Sequence, residues 1–321
     1  MTRVLVVSAV AFGSALVLTP VAMVVARHLG VLDRPGPLKP QSAPVPYLGG
    51  VAVFLSALAG VALGRPAVVG PLAGAVVLGV LDDRFDIPAW TRLAGQAVLG
   101  VGVALAVPTR VGGVGGAVLV AVLCVVLMNG ANFLDGIDAL ATGVIAVACV
   151  AFAVLVHGGA RDVAAALAAA LAGFVVFNRP PARIYLGDAG AYVLGAALAV
   201  LLAAAWAPGT RSSVSVVSLV IVAVPVAEVA FAVARRLRSR QSITTGDRRH
   251  PYDLAVERGW GRGVVAVAYI GAEVVFSGAA LGVARVHSIA GPVALVVGTA
   301  ALLIAVGALC GALSAGPPVP A

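Results

Sequence analysis

From Val4 to Val25 the chain carries no charged residue, and ten further apolar segments follow at short intervals. A segment of this kind satisfies its backbone in lipid only as a helix, and about 20 residues cross the hydrocarbon core. The candidate spans are residues 4–26, 47–64, 66–81, 91–107, 112–128, 139–157, 163–178, 189–207, 213–234, 263–284 and 287–312. Of the 321 residues, 61% are hydrophobic and 11% charged. A soluble domain has about 45–50% apolar and about 25% charged residues. The fold class is therefore all-α, a polytopic membrane protein of about 10–11 helices forming one unit over residues 1–321. The first span has no separable secretory cleavage site. Abundant Ala, Val, Leu and Gly suit close helix packing in lipid. Cys124, Cys149 and Cys310 lie inside apolar runs and read as small core residues.

Basic residues give the sidedness. Fourteen of the 21 Lys and Arg fall in the odd-numbered connections 27–46, 82–90, 129–138, 179–188 and 235–262, and Arg92 joins them from the adjoining helix end. Six lie on the other side: Arg3, Arg65, Arg110, Arg161, Arg211 and Arg285. By the positive-inside rule the odd connections face the cytoplasm.

Three acidic clusters fall on that face: Asp82-Asp83-Arg84-Phe85-Asp86, Asn132-Phe133-Leu134-Asp135-Gly136-Ile137-Asp138, and Tyr185-Leu186-Gly187-Asp188-Ala189-Gly190. They hold six of the 13 acidic residues. Carboxylates cost about 2.5–3.5 kcal/mol each at the centre of a spanning helix, so their gathering at segment ends calls for a reason. Hard oxygen ligands suggest a divalent cation and a phosphate-bearing substrate. Asp82 and Asp83 diverge by about 100° on a helix, which favours divided roles. Plainer readings stand beside these. The Asp82 group can be surface acids at a helix end, and Asp138 can cap the helix from Ala139. Asp188, between two glycines, can be either an N-cap or a metal ligand, and Tyr185 either a stacking ring or a belt residue.

Connection 235–262 is a basic loop with two readings. Arg235, Arg236, Arg238 and Arg240 fit anchoring or anionic-lipid contact. The run Asp247-Arg248-Arg249-His250 has the donors to clamp a diphosphate, with Arg248, Arg249 and His250 as its candidate residues. Glu228 is placed to face the site, whereas Glu273, mid-span, has no identifiable partner. His28, His157 and His287 are isolated. No Walker motif, dinucleotide fingerprint or nucleophile elbow occurs, and nothing points to nucleic acid.

Taken in order, Arg34-Pro35 through Pro46-Tyr47-Leu48-Gly49-Gly50, Leu81-Asp82-Asp83, the Asn132 to Asp138 segment, Leu186 to Gly190 and Asp247 to His250 resemble the polyprenyl-phosphate N-acetylhexosamine-1-phosphate transferases. The resemblance implies a multi-pass enzyme of the bacterial plasma membrane with its site facing the cytoplasm. It implies transfer of a sugar-1-phosphate from a UDP-sugar donor to a polyprenyl phosphate acceptor, releasing UMP, with Mg²⁺ or Mn²⁺. By position Asp188 would bind metal, Asp82 and Asp83 would serve the metal and the lipid phosphate, and all three would be catalytic, with Asp83 the second metal ligand. Asn132, Asp135 and Asp138 would line the nucleotide pocket and Tyr185 would stack on uracil. The peptidoglycan branch carries lysine where Asp86 stands, so UDP-N-acetylglucosamine is favoured over the muramoyl-pentapeptide donor. The last motif reads His250-Pro251-Tyr252-Asp253 and keeps only its first histidine. The partners expected are the two substrates, membrane lipid and, as a candidate only, a second copy in a homodimer. The competing classes are a lipid-linked sugar transporter and an inactive lipid-binding scaffold.

Overall fold

The computed structural model describes residues 1–35, 43–244, 249–286 and 288–314. Helices α1 (Thr2–Leu29), α2 (Gly49–Gly64), α3 (Val69–Phe85), α4 (Ala89–Ala106), α5 (Gly113–Leu134), α6 (Leu140–Leu155), α7 (Gly158–Asn178) and α8 (Gly187–Ala205) occupy the first eight expected spans. Helices α9 (Ser212–Ile221), α10 (Ala223–Arg238), α12 (Arg262–Val283) and α13 (Ala290–Leu309) supply the rest, with the short α11 (Pro251–Glu257) between α10 and α12. Two-residue strands β1 (Leu32–Asp33) and β2 (Val45–Pro46) pair antiparallel beside the end of α1.

Among the described residues, eight helices are long and apolar enough to cross a membrane, and α2 and α6 are shorter apolar helices. The expected span 213–234 is broken into α9 and α10, which meet at 58°. Pro225, in the first turn of α10, has no N–H to continue the ladder back into α9, which accounts for the bend there.

Three expected boundaries shift, and each shift matters for the site. Helix α3 runs on to Phe85, so Asp82 and Asp83 sit in its last turn rather than in a connection. Helix α5 reaches Leu134, so Asn132 is helical, whereas Asp135 and Asp138 lie in the turn beyond. The basic connection 235–262 is in part helical, because α10 extends to Arg238 and α11 folds within it.

Helix α8 is the centre of the bundle, and every residue from Ala189 to Ala205 is buried. It packs against α2, α3 and α5. Small residues permit this closeness: a Cβ on Gly79 of α3 or Gly50 of α2 would overlap the α8 backbone at Ala189 or Gly190. Gly70, also on α3, has open space around it. Gly79→Ala is therefore expected to destabilise the protein by about 1–3 kcal/mol, the usual cost of overpacking. Gly70→Ala should leave the melting temperature in detergent close to that of the parent, so equal melting of the two variants would contradict this packing.

Candidate active site

The site is built on the N-terminus of α8. The first amides of a helix have no partner within it and must find acceptors elsewhere. Here the acceptor comes from another helix: Asp83 of α3 takes the Asp188 amide on Oδ1 at 3.0 Å and the Ala189 amide on Oδ2 at 3.3 Å. Gly187, at φ 72°, turns the chain into α8, and a Cβ there would crowd both Tyr47 and the Asp83 carboxylate. The Tyr47 hydroxyl donates to the Asp83 carbonyl at 2.8 Å. The Gly49 and Gly50 amides donate to the carbonyls of Tyr185 and Leu186, which docks the start of α2 beside the start of α8.

Asp82, on the same turn of α3, points elsewhere, as the helical offset predicts. Its Oδ2 accepts from the Tyr192 hydroxyl at 2.5 Å and from Arg92 at 3.3 Å, and its Oδ1 accepts from the Ile87 amide at 3.1 Å. It is buried, and it lies against the Asp188 carboxyl. Asp188 in turn accepts from the Asn132 side-chain amide.

The remaining acids close the ring. Asp135 meets the Gly187 amide; burial first, and then the charges of Asp188 and Asp83, hold its carboxyl well above the ordinary 3.8. Asp138 accepts the Ala182 amide at 3.0 Å. The helix-cap reading of Asp138 is thus corrected: Ala139 occupies the N-cap position of α6 in a left-handed conformation, and Asp138 fastens the turn before α8 instead. The cap reading of Asp188 is corrected likewise, because it stands inside the first turn and Asp83 does the capping. Tyr185, next in that turn, has its hydroxyl pushed up to about 12 by burial and then by the Asp138 charge, so it stays protonated.

These residues line one cavity of about 450 Å³ at the end of the bundle where the odd-numbered connections meet. Asp82, Asp83, Asp86, Asn132, Asp135, Asp138, Tyr185 and Asp188 all reach it, joined by Asp33, Tyr47, Asn178 and Arg262. Among the described residues, seven carboxylates thus face a single lining guanidinium. Among the described residues no group of three or more His, Cys, Asp or Glu side chains is arranged to enclose a metal.

A second cavity of about 420 Å³ adjoins the first and shares Asn132, Asp135 and Gly136 with it. Its walls include Leu93, Val125, Val126, Val229 and Val233, and Arg92, Arg236 and His250 are its basic side chains. Of the expected diphosphate clamp, His250 lies here rather than in the acidic cavity, Arg249 lines neither cavity, and Arg248 is outside the described residues. Arg235 and Arg236 are not surface anchors. Arg235 is buried and donates to the Ala312 carbonyl, and Arg236 donates to the Ile243 carbonyl and lies over the Phe133 ring. Glu228 lies behind His250 and lines neither cavity, and Glu273 accepts from Ser277 of its own helix.

The sequence pattern described as Glycosyl transferase family 4 matches residues 66–205. The chain is 30% identical to a probable undecaprenyl-phosphate N-acetylglucosaminyl 1-phosphate transferase of Bacillus subtilis, over 78% of this chain and 76% of that protein. It is 31% identical to a decaprenyl-phosphate N-acetylglucosaminephosphotransferase of Mycobacterium tuberculosis, over 81% and 78%. The chain belongs to glycosyl transferase family 4. A phospho-N-acetylmuramoyl-pentapeptide-transferase of Heliobacterium modesticaldum matches a smaller part, 29% identical over 64% of this chain. The family member described here is thus a multi-pass phosphosugar transferase of the amino-sugar branch, as Asp86 led one to expect.

The raised Asp135 carboxyl has a consequence for stability. A folded-state value above the unfolded one means that stability is lost as pH rises from about 3.8 through the folded value. In protein stripped of divalent cations, Asp135→Asn should melt higher than the parent at pH 8, with the gap closing toward pH 4. A gap that widened on acidification would reverse the sign.

Proposed function

We propose that this protein transfers N-acetylglucosamine-1-phosphate from its UDP-linked donor to a polyprenyl phosphate, at the cytoplasmic face of a bacterial plasma membrane. The observation that carries the reading is the pair of adjoining cavities, one ringed by carboxylates and the other apolar-walled with basic side chains, meeting at Asn132 and Asp135. The first suits a cation-bound nucleoside diphosphate sugar, and the second suits a lipid phosphate with its chain between helices. The names of the relatives support the same donor and acceptor. The excess of Lys and Arg in the odd-numbered connections supports the cytoplasmic side.

The donor set fits Mg²⁺ or Mn²⁺. The seven carboxylates that line the cavity would repel a diphosphate, and hard oxygen ligands suit these ions. Mg²⁺ commonly takes only one or two protein carboxylates and completes its shell with water and substrate phosphate, so a closed protein cage is unnecessary. Asp188 is the residue assigned to hold it, with Asp83 beside it. When bound, such an ion would supply neutralisation of the diphosphate and of the charge developing on the departing UMP.

The acceptor phosphate attacks the phosphorus bonded to the sugar. A new phosphorus–oxygen bond forms to the lipid phosphate, the bond to the bridging oxygen of UMP breaks, and UMP leaves with the electron pair. A phosphate monoester has a second pKa near 6, so the acceptor is already largely dianionic at neutral pH and needs little general-base help. The aspartate pair supports direct displacement over an aspartyl-phosphate. Both oxygens of Asp82 accept hydrogen bonds, and both oxygens of Asp83 are held by α8 amides, so neither is a free nucleophile. Their part is to fix Asp188 and the start of α8. Arg92 and Arg236 would receive the acceptor phosphate, and Tyr185 would cover the uracil.

The purified protein should release UMP from UDP-N-acetylglucosamine and polyprenyl phosphate, and chelation should abolish that release. In a panel with UDP-N-acetylgalactosamine and UDP-N-acetylmuramoyl-pentapeptide, the first donor should be preferred. Asp188→Asn should lower kcat by about 10²–10³, the usual scale for losing one electrostatic stabiliser. Full activity of that variant at normal expression would remove Asp188 from its role.

A further inference from the structure

His250 is held more firmly than a residue that only lines a cavity requires. Its Nδ1 lies 2.9 Å from Glu228 Oε2, on α10. The other Glu228 oxygen accepts from the Tyr269 hydroxyl of α12 at 2.8 Å. The imidazole stacks parallel on Tyr252, ring centroids 5.3 Å apart, and meets Phe133 of α5 at 4.9 Å. Tyr252 is itself fixed by a 2.6 Å hydrogen bond to the Phe133 carbonyl, and the His250 amide donates to Asp253. Four helices thus converge on one ring, yet the ring lines the second cavity beside Arg92 and Arg236.

We infer that Glu228 and Tyr269 are positioning residues for the transfer reaction: they hold His250 with its proton on Nδ1, leaving Nε2 for the phosphate end of the second cavity. The geometry points to this assignment: Tyr269 donates to Oε1, Nδ1 is the ring nitrogen within hydrogen-bond distance of Oε2, and Nε2 is the nitrogen left over. Partners that fix a functional imidazole through its far nitrogen typically matter 10–100-fold when lost. Tyr269 acts at one remove, orienting the carboxylate, and its loss should cost less.

The inference rests on the proposed transfer reaction for its effect on rate, but the tautomer does not, which separates the two tests. The chain has four histidines. In protein labelled with ¹⁵N-histidine, with the His250 signals assigned through His250→Gln, the parent should show protonated Nδ1, and Glu228→Gln should disturb that signal. Unprotonated Nδ1 in the parent would overturn the inference whatever the protein catalyses. For the rate, Glu228→Gln should lower kcat/KM for polyprenyl phosphate about 10–100-fold, and by less than about 2-fold when His250 is already Ala, because the carboxylate then has nothing to position. Equal losses in both backgrounds would make Glu228 a structural residue only. Tyr269→Phe, which removes one hydroxyl and keeps the packing, supplies the same comparison if Glu228→Gln does not fold. It should lower the rate several-fold with His250 present and leave it unchanged without. An absence of transfer by the parent with any donor would count against the proposed function and leave the tautomer result standing.

Discussion

The bond between the Asp83 carboxylate and the first amides of α8 is the constraint on which the rest of the site depends. Helix α8 is buried from Ala189 onward, so its N-terminal amides cannot rely on lipid or on freely exchanging water for partners. A carboxylate there satisfies two donors and meets the positive end of the helix dipole. Because the acceptor comes from α3, the same bond ties two spans together at one depth. It also brings the adjacent Asp82 against Asp188. The glycines at 50 and 79 are the steric counterpart of this arrangement: without them α2 and α3 could not approach α8 closely enough for the carboxylate to reach.

That arrangement concentrates negative charge where a soluble protein would disperse it. Asp82 is answered by Arg92, and the fixed dipoles of backbone amides answer Asp83, Asp135 and Asp138. Amides stabilise a carboxylate locally but do not neutralise the cavity as a whole, and Arg262 is the single lining cation among the described residues. Burial first, and then the neighbouring charges of Asp188 and Asp83, raise the Asp135 carboxyl. A fold that gathers carboxylates in this way is stabilised by whatever binds there and offsets their charge.

Much of this was legible in the sequence, for identifiable reasons. The helices were visible because lipid leaves the backbone no alternative, and the common face of the acidic clusters followed from loop parity and basic residues. Asp82, Asp83, Asn132, Asp135, Asp138, Tyr185 and Asp188 share one cavity as their motifs suggested. What could not be read was which donor each oxygen would meet, because pairings such as Tyr192 with Asp82 join residues 110 positions apart. Tyr192 carried no local signal in an apolar helix, and Arg92 counted only as a topological charge. Asn178 was hidden at the end of α7, although it accepts from the Ala139 amide and Thr142 and donates to Ile184. The break between α9 and α10 had one cue, Pro225, which a hydropathy window averages away. Arg235 and Arg236 were misread because a basic cluster at a span end is usually an anchor, and here both turn inward.

The bend at Pro225 connects these readings. It sets α10 at 58° to α9, and from α10 come Val229 and Val233 on the wall of the second cavity, Arg236 beside them, and Glu228 behind His250. A straight helix would carry these residues along the axis of α9 instead. The acidic cavity depends on a carboxylate that reaches between two spans, and the apolar cavity depends on a helix that turns away from its own axis. The two are joined through α5, whose last turn carries Asn132 into both cavities and presents Phe133 to the His250 ring. A displacement of that turn would therefore be felt at Asp188 and at His250 together, which gives one short piece of helix a bearing on both halves of the site.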